Sequence, residues 1–457
     1  MSSEPLRICL LTYRGNPRSG GQGIYIRLLS RALVELGHRV DVWSGPPYPE
    51  LLPGVGFVEV PSLDLWNEAA FFRFPTLREL ADPINVSEWT RTVTGGFPEP
   101  LTFCRRVARD FARGASARYD VVHDNQSLGP GLLDIQKRMP VVATIHHPVT
   151  VDRRIAIRAA RGFKKRAGLI RWYTFLGSQL RVSRRLDRIV TISEASTRDL
   201  AREYRLPHER MRMVGNGIDL SVFRRLPGVA RRDDLILTTL SNDSPLKGFA
   251  FLLEAYKTLR ARRPSLELRV IGVPHKRSPS VEAVRRHGLD GIVRFTGRVD
   301  AEDIARHYAE ATVAVVPSLY EGFGFPAGEA MACGVPVVST RAGALPEVVG
   351  PEGEAGVLVE PGSGPALARA VDELLGAPER RRAMGEAGRA RVEALFTWQR
   401  AAERTVDVYR EAIAERASGP GVARARRENA GRRPAVVRPI AADGVAARVS
   451  AGAEAGC

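Results

Sequence analysis

The chain has 457 residues, 44% of them hydrophobic and 26% charged, with a net charge of +17. That is too long for one ordinary core and too apolar for a disordered chain, so two soluble domains plus appendages are expected. No apolar run approaches the thickness of a bilayer, and MSSEPLRICLLTY passes directly from polar residues into a strand, which predicts no secretory leader.

RICLLTY (7–13) is a β-rich apolar run. The polar loop RGNPRSGGQG follows it, and IYIRLLSRALVELG (24–37) repeats apolar residues at helical spacing up to a glycine. HRVDVWSG (38–45) is a second strand, so the opening reads as a βαβ unit with parallel strands. YDVVHDN (119–125), PVVATIHH (140–147) and DRIVTIS (187–193) continue the series. A helix over 193–204 then has Ser193 or Ser196 as its cap. NGIDLSVFRRLPGVARR (216–232) is rich in turn residues and predicts a linker.

DLILTTLS (234–241) restarts the pattern. A helix over 249–262 follows, then strands over 266–272, 292–299, 311–318, 335–340 and 356–360, with helices between them. The last periodic segment is TWQRAAERTVDVYREAIAE. From 417 to 457 the chain is rich in Ala, Gly, Pro and Arg without periodicity, which predicts a disordered tail. Two doubly wound parallel α/β halves place a site in the cleft between them, at the carboxyl ends of the strands.

The charge is local. Residues 152–188 contain twelve Lys/Arg against two Asp, and the tail has seven Arg against three acids. Only six of the 68 basic residues are lysines, so each lysine carries some information. The four cysteines, Cys9, Cys104, Cys333 and Cys457, match no disulfide or metal-ligand spacing. They imply a reducing, cytoplasmic setting, with Cys9 and Cys333 as small core residues.

The densest cluster of candidate chemistry is PSLYEGFGFPAGEAMACG (317–334). A strand ends at Ser318, Phe325-Pro326 opens a helix and Gly334 ends it. Gly322 and Gly324 can turn backbone N–H groups towards an anion at the helix N-terminus. Glu321 and Glu329 then suit neutral hydroxyls on either side, as on a sugar and a ribose. A tight packing turn, with Glu329 serving the helix dipole, is the competing reading of this stretch. Lys247-Gly248, between a strand and a helix, is either a phosphate contact or a solvated loop lysine. Gly20-Gly21-Gln22-Gly23 forms a phosphate-type loop without the dinucleotide spacing. His146 and His147 end a strand at the cleft edge, as does His123-Asp124. Each is open to a structural or a catalytic role.

Taken together these residues resemble the family 4 retaining glycosyltransferases of the GT-B fold, over residues 7 to about 415. The most specific element is E-x7-E, Glu321 to Glu329. GG at 20–21, TIHHP at 144–148, VTISEAS at 190–196, NGID..VF at 216–223, LKG at 246–248, FTGRV at 295–299 and AGALPEVV at 342–349 also match. The resemblance implies an N-terminal acceptor-side domain over 1–225 and a nucleotide-sugar domain over 226–396, with helix 397–416 packing back on the first. It implies transfer of a hexosyl group, with retention, from a UDP- or GDP-linked sugar to a hydroxyl of a glycan, lipid-linked or small-molecule acceptor. His146, Lys247 and Glu321 would be catalytic. His146 would lie beside the donor sugar, Lys247 would neutralise the departing diphosphate and Glu321 would bind sugar hydroxyls. Glu329 would bind the ribose, and Gly20, Gly21, Gly322, Phe323, Gly324 and Phe325 would hold the donor, with the base near Gly297–Val299. No metal or other cofactor is implied, because lysine and helix dipole supply the electrostatics. No general base is named, since the leaving phosphate would take the acceptor's proton.

The family usually carries Gly-Arg-Leu ahead of Lys-Gly. Here Asn242 stands at the arginine's position. The basic segment 152–188 mixes arginines with Ile, Leu, Phe, Trp and Tyr, which predicts one or two basic amphipathic helices. These would meet an anionic membrane surface carrying the acceptor, or form a solvated electrostatic funnel. No nucleic-acid module is present. A nucleotide-sugar epimerase or hydrolase, or a non-catalytic nucleotide-sugar-binding protein, are the alternatives to a transferase.

Overall fold

The computed structural model describes residues 4–16, 21–65, 72–160, 162–240, 243–273 and 278–418. Two parallel sheets organise them. The first contains β1 (Arg7–Thr12), β2 (Arg39–Ser44), β3 (Gly56–Glu59), β4 (Val121–Asn125), β5 (Val141–Ile145), β6 (Arg188–Thr191) and β7 (Met211–Met213). Its order is β3-β2-β1-β4-β5-β6-β7. The second contains β8 (Leu235–Thr239), β9 (Glu267–Ile271), β10 (Arg294–Phe295), β11 (Val313–Val316), β12 (Val337–Thr340) and β13 (Gly356–Val359), in the order β10-β9-β8-β11-β12-β13. Every pairing within the two sheets is parallel.

The central strands are buried on both faces, which is why they read as unbroken apolar runs rather than alternating ones. β3 and β7 have four and three residues and left no comparable signal in the sequence. Buried polar side chains gather towards the strand exits of the first sheet, at Thr12, Ser44, Asp124, Asn125, Thr144 and Thr191, with His123 mid-strand in β4 and Arg188 at the start of β6. Strand order reverses between β1 and β4 and again between β8 and β11, and these switch points open the crevices in which such sheets bind ligands.

Two segments cross between the sheets and are tied together. Ile218 donates its N–H to the Phe396 carbonyl at 2.8 Å and bridges to Thr397. A Cβ on Gly217 would lie 2.2 Å from the Trp398 nitrogen, so only glycine allows this approach. The final helix, Trp398–Ser418, then packs on the first sheet. Trp398, Ala401, Ala402, Val406 and Tyr409 join Tyr25, Ile26 and Leu29 in one core. It runs to Ser418, two residues into the segment expected to be disordered; residues 419–457 lie outside the described ones. Cys9, Cys104 and Cys333 are buried free thiols, and no described helix is long and apolar enough to cross a membrane.

Tyr409 is fully buried and its hydroxyl lies 2.6 Å from His123 Nδ1. Tyr409→Phe leaves that nitrogen unpartnered and is expected to cost about 1–3 kcal/mol. The expected readout is a lower urea midpoint with an unchanged slope. An unchanged midpoint would show that the helix contributes packing alone.

Candidate functional site

The expected donor residues gather at the exits of β8 and β11. Lys247 ends a short turn, Pro245–Lys247, and is followed by Gly248 at φ 64°. A Cβ there would meet the Pro317 carbonyl at 1.9 Å. Leu319 N–H also bonds the Leu246 carbonyl at 2.7 Å. The Lys-Gly pair is thus pressed against the end of β11, which brings Lys247 to Glu321. Lys247 Nζ lies 2.7 Å from Glu321 Oε1, with both side chains largely buried. Ser318 Oγ donates to the same oxygen at 2.9 Å.

Gly324 caps helix Phe325–Ala332 at φ 105°, a conformation that favours glycine, and Pro326 occupies the first turn. The helix closes on Gly334, with Val335 N–H to the Ala330 carbonyl and Gly334 N–H to that of Met331. Gly322 serves differently from expectation. It is not among the positive-φ residues; it is small because a Cβ would sit 2.9 Å from the His146 carbonyl. Phe323 buries its ring in the core against Phe325 and Phe396, at 5.1 and 5.8 Å, so its backbone alone is available to a ligand. Phe325 is half-buried, its ring 3.8 Å from where a Cβ of Gly21 would sit, and Gly21 begins helix Gly21–Glu35 after β1. Gly20, Ser241 and Asn242 lie outside the described residues.

Glu329 stands in the first turns of helix Phe325–Ala332, with the Tyr308 hydroxyl 3.5 Å from its Oε2. Burial pushes its carboxyl up to about 7, against a small opposing pull from that hydroxyl. His146 follows β5. Its Nε2 lies 2.7 Å from Asn125 Oδ1, its N–H donates to Gln126 Oε1 at 2.8 Å, and its ring stands edge-on to Tyr25 at 4.8 Å. Burial, and secondarily the charges of His147 and His123, push the imidazole down to about 3. It is a neutral hydrogen-bonding group, not a proton carrier at neutral pH.

The structure brings His146 and the Glu321 loop together across the cleft. The Gly322 carbonyl accepts from Ser193 Oγ at 2.9 Å and Ser196 Oγ at 3.2 Å, while Ser196 Oγ also reaches the His146 carbonyl at 3.1 Å. Ser193 caps helix Glu194–Tyr204 as well. Glu347 accepts from the N–H groups of Glu194 and Ala195 at 2.8 and 2.7 Å, and Tyr320 donates to Asp199 at 3.0 Å. Asn125, Gln126, Tyr308, Glu347 and this second use of Ser193 were missed in the sequence. Glu347 lay inside AGALPEVV and Ser193 inside VTISEAS; Asn125, Gln126 and Tyr308 sit in no motif. His123 bridges Tyr409 and Thr144 inside the first sheet, at 2.6 and 2.7 Å, and is structural.

The basic segment forms helices Val149–Ala159, Phe163–Trp172 and Leu176–Ser183. The middle one buries no side chain; Phe163 is 84% exposed, and Trp172 stacks on Phe97 at 4.8 Å. No group of three or more His, Cys, Asp or Glu among the described residues is placed to hold a metal ion.

Comparison with known proteins agrees with this geometry. Residues 227–391 match the model of the glycosyl transferases group 1, and residues 19–222 that of glycosyltransferase family 4. An MMP alpha-(1->4)-mannosyltransferase of Mycolicibacterium hassiacum is 44% identical over 411 residues, spanning 90% of this chain and 99% of the relative. A D-inositol 3-phosphate glycosyltransferase of Geodermatophilus obscurus is 30% identical over 91% of this chain and 92% of its own. Sucrose-phosphate synthase of Thermosynechococcus elongatus superposes with a TM-score of 0.68 at 25% identity, covering 90% of this chain and 100% of that one. Anabaena HepE, in complex with UDP and glucose, shares the fold at TM-score 0.65 and 17% identity, over 88% and 99% of the two chains.

The buried Glu329 carboxyl makes the fold less stable as pH rises. Its ordinary value is 4.5 and its folded value about 7, so its contribution to stability is full below pH 4.5 and is lost as pH rises through about 7. Between pH 5 and 8 the wild type should lose on the order of 2 kcal/mol more stability than Glu329→Gln, as read by denaturant unfolding. Parallel curves for the two proteins would contradict the assignment.

Proposed function

This chain belongs to the group 1, family 4 glycosyltransferases, and on that premise we propose that it transfers an α-mannosyl group from a nucleoside diphosphate mannose. The acceptor is a hydroxyl of a mannose-containing glycan, and the new bond is α-(1→4), as in the name of the 44% identical relative. The observation that carries the reading is the Lys247–Glu321 contact at 2.7 Å beside the N-terminus of helix Phe325–Ala332.

A diphosphate entering this corner competes for the Lys247 ammonium and meets the backbone N–H groups of Gly322 to Phe325 leading into the helix. Glu321, released from the lysine, accepts hydroxyls of the mannose, and Glu329 accepts those of the ribose. The bond between the anomeric carbon and the phosphate oxygen then breaks while the acceptor oxygen joins the same face. The leaving phosphate oxygen takes the acceptor's proton. His146, held far below the ordinary histidine range, does not compete for it. Lys247 and the helix N-terminus stabilise the charge that develops on the diphosphate, so the transfer requires no metal and proceeds in EDTA.

Purified protein with GDP-mannose or UDP-mannose and a manno-oligosaccharide should release nucleoside diphosphate and lengthen the acceptor by one hexose. Lys247→Ala and Glu321→Ala should each lower kcat/KM about 100- to 1000-fold. Rates within a few-fold of wild type would refute the roles of both residues.

A further inference from the structure

The exits of β4 and β5 carry matched polar side chains that the donor contacts do not use. The strands are parallel, with Asn125 opposite Thr144, so alternate residues meet: His123 with Thr144, and Asn125 with His146. Gln126, at φ 55°, adds a clamp on the backbone. Its Oε1 takes the His146 N–H at 2.8 Å and its Nε2 donates to the His147 carbonyl at 2.9 Å. His146 is therefore fixed at ring and backbone by one dipeptide of the neighbouring strand.

The direction of the ring contact follows from obligate roles. Asn125 Nδ2 lies 3.2 Å from the Gln22 carbonyl, which can only accept. It also lies 3.5 Å from Thr12 Oγ1, whose proton is committed to the Arg14 carbonyl at 2.8 Å. Both neighbours require the amide nitrogen on that side, so Oδ1 faces His146. An amide oxygen can only accept, so Nε2 must carry the hydrogen. In a neutral imidazole Nδ1 then bears the lone pair, and no protein group among the described residues bonds it. The edge-on Tyr25 ring at 4.8 Å opposes rotation.

We propose that Asn125 is a positioning residue that holds His146 as the Nε2–H tautomer, making Nδ1 an acceptor for one hydroxyl of the transferred sugar. The identity of the ligand rests on the transfer reading above; the tautomer does not. His146 thus selects a donor sugar by a hydroxyl that must donate, and the strand carrying Asn125 sets that selection.

Long-range 1H–15N correlation of protein labelled at histidine, with His146→Gln identifying the signal, reads the tautomer directly. Protonated Nε2 and bare Nδ1 at pH 7 are expected; a protonated Nδ1 overturns the proposal whatever the activity. Asn125→Leu should mix the tautomers and lower kcat/KM for nucleoside diphosphate mannose about 10- to 100-fold. Asn125→Asp should favour imidazolium, so that kcat/KM falls at acidic pH and recovers as pH rises, a limb the wild type lacks. An unchanged tautomer in Asn125→Leu, or no new limb in Asn125→Asp, counts against it. In a series of donors lacking one hydroxyl each, one analogue should lose about 10- to 100-fold with wild type and little more with Asn125→Leu; uniform losses would remove the hydroxyl from the account. If no mannose nucleotide supports turnover, the transfer reading fails while the spectrum still decides Asn125.

Discussion

The arrangement depends on the carbonyl of Gly322. It lies in the loop after β11, yet its hydrogen-bond donors, Ser193 and Ser196, belong to the other sheet's side of the cleft. A side chain at this position would collide with the His146 carbonyl at 2.9 Å. This one contact therefore sets how closely the Glu321 loop approaches His146, and so whether groups from both sheets can reach one sugar. Glu347 on the N-terminus of helix Glu194–Tyr204 and Tyr320 on Asp199 flank it. Two charge- or dipole-assisted contacts thus hold the same helix against the second sheet.

Across that contact the two sides are electrostatically unlike. The second sheet offers Lys247 paired with Glu321, and Glu329 with a carboxyl near neutrality in its buried setting. An anion can exchange with Glu321 for the lysine without leaving a charge buried alone, because the freed carboxylate gains the hydroxyls that arrive with the ligand. The first sheet offers a neutral imidazole fixed by amides. The second sheet's side handles charge and takes hydroxyls through its carboxylates, while the first presents a neutral hydrogen-bonding group. That division suits a ligand with an anionic leaving group and a neutral polyol.

Much of this is legible in the sequence. The buried parallel strands announced themselves as apolar runs, and E-x7-E placed Glu321 on a loop and Glu329 on the helix it leads into. The edge strands β3 and β7 were too short to interrupt the surrounding pattern. Gly322 was read for backbone freedom, whereas its smallness is steric and depends on a residue 176 positions earlier in the chain. Asn125 and Gln126 carry no motif; their meaning comes from the register of β4 on β5, which a linear sequence does not display. Lys247-Gly248 alone left a phosphate contact and a solvated loop lysine open; the approach of Gly248 to the Pro317 carbonyl is what brings the lysine to Glu321.

In the proposed transfer both sheets act on one face of a mannosyl group, and the departing phosphate takes the proton. Proton NMR of the first product formed from an α-linked nucleoside diphosphate mannose tests this most directly. An α-glycosidic linkage is expected in the earliest spectra, before any equilibration. A β linkage would contradict it, because attack from the opposite face leaves the departing phosphate on the far side of the sugar, where it cannot take the acceptor's proton.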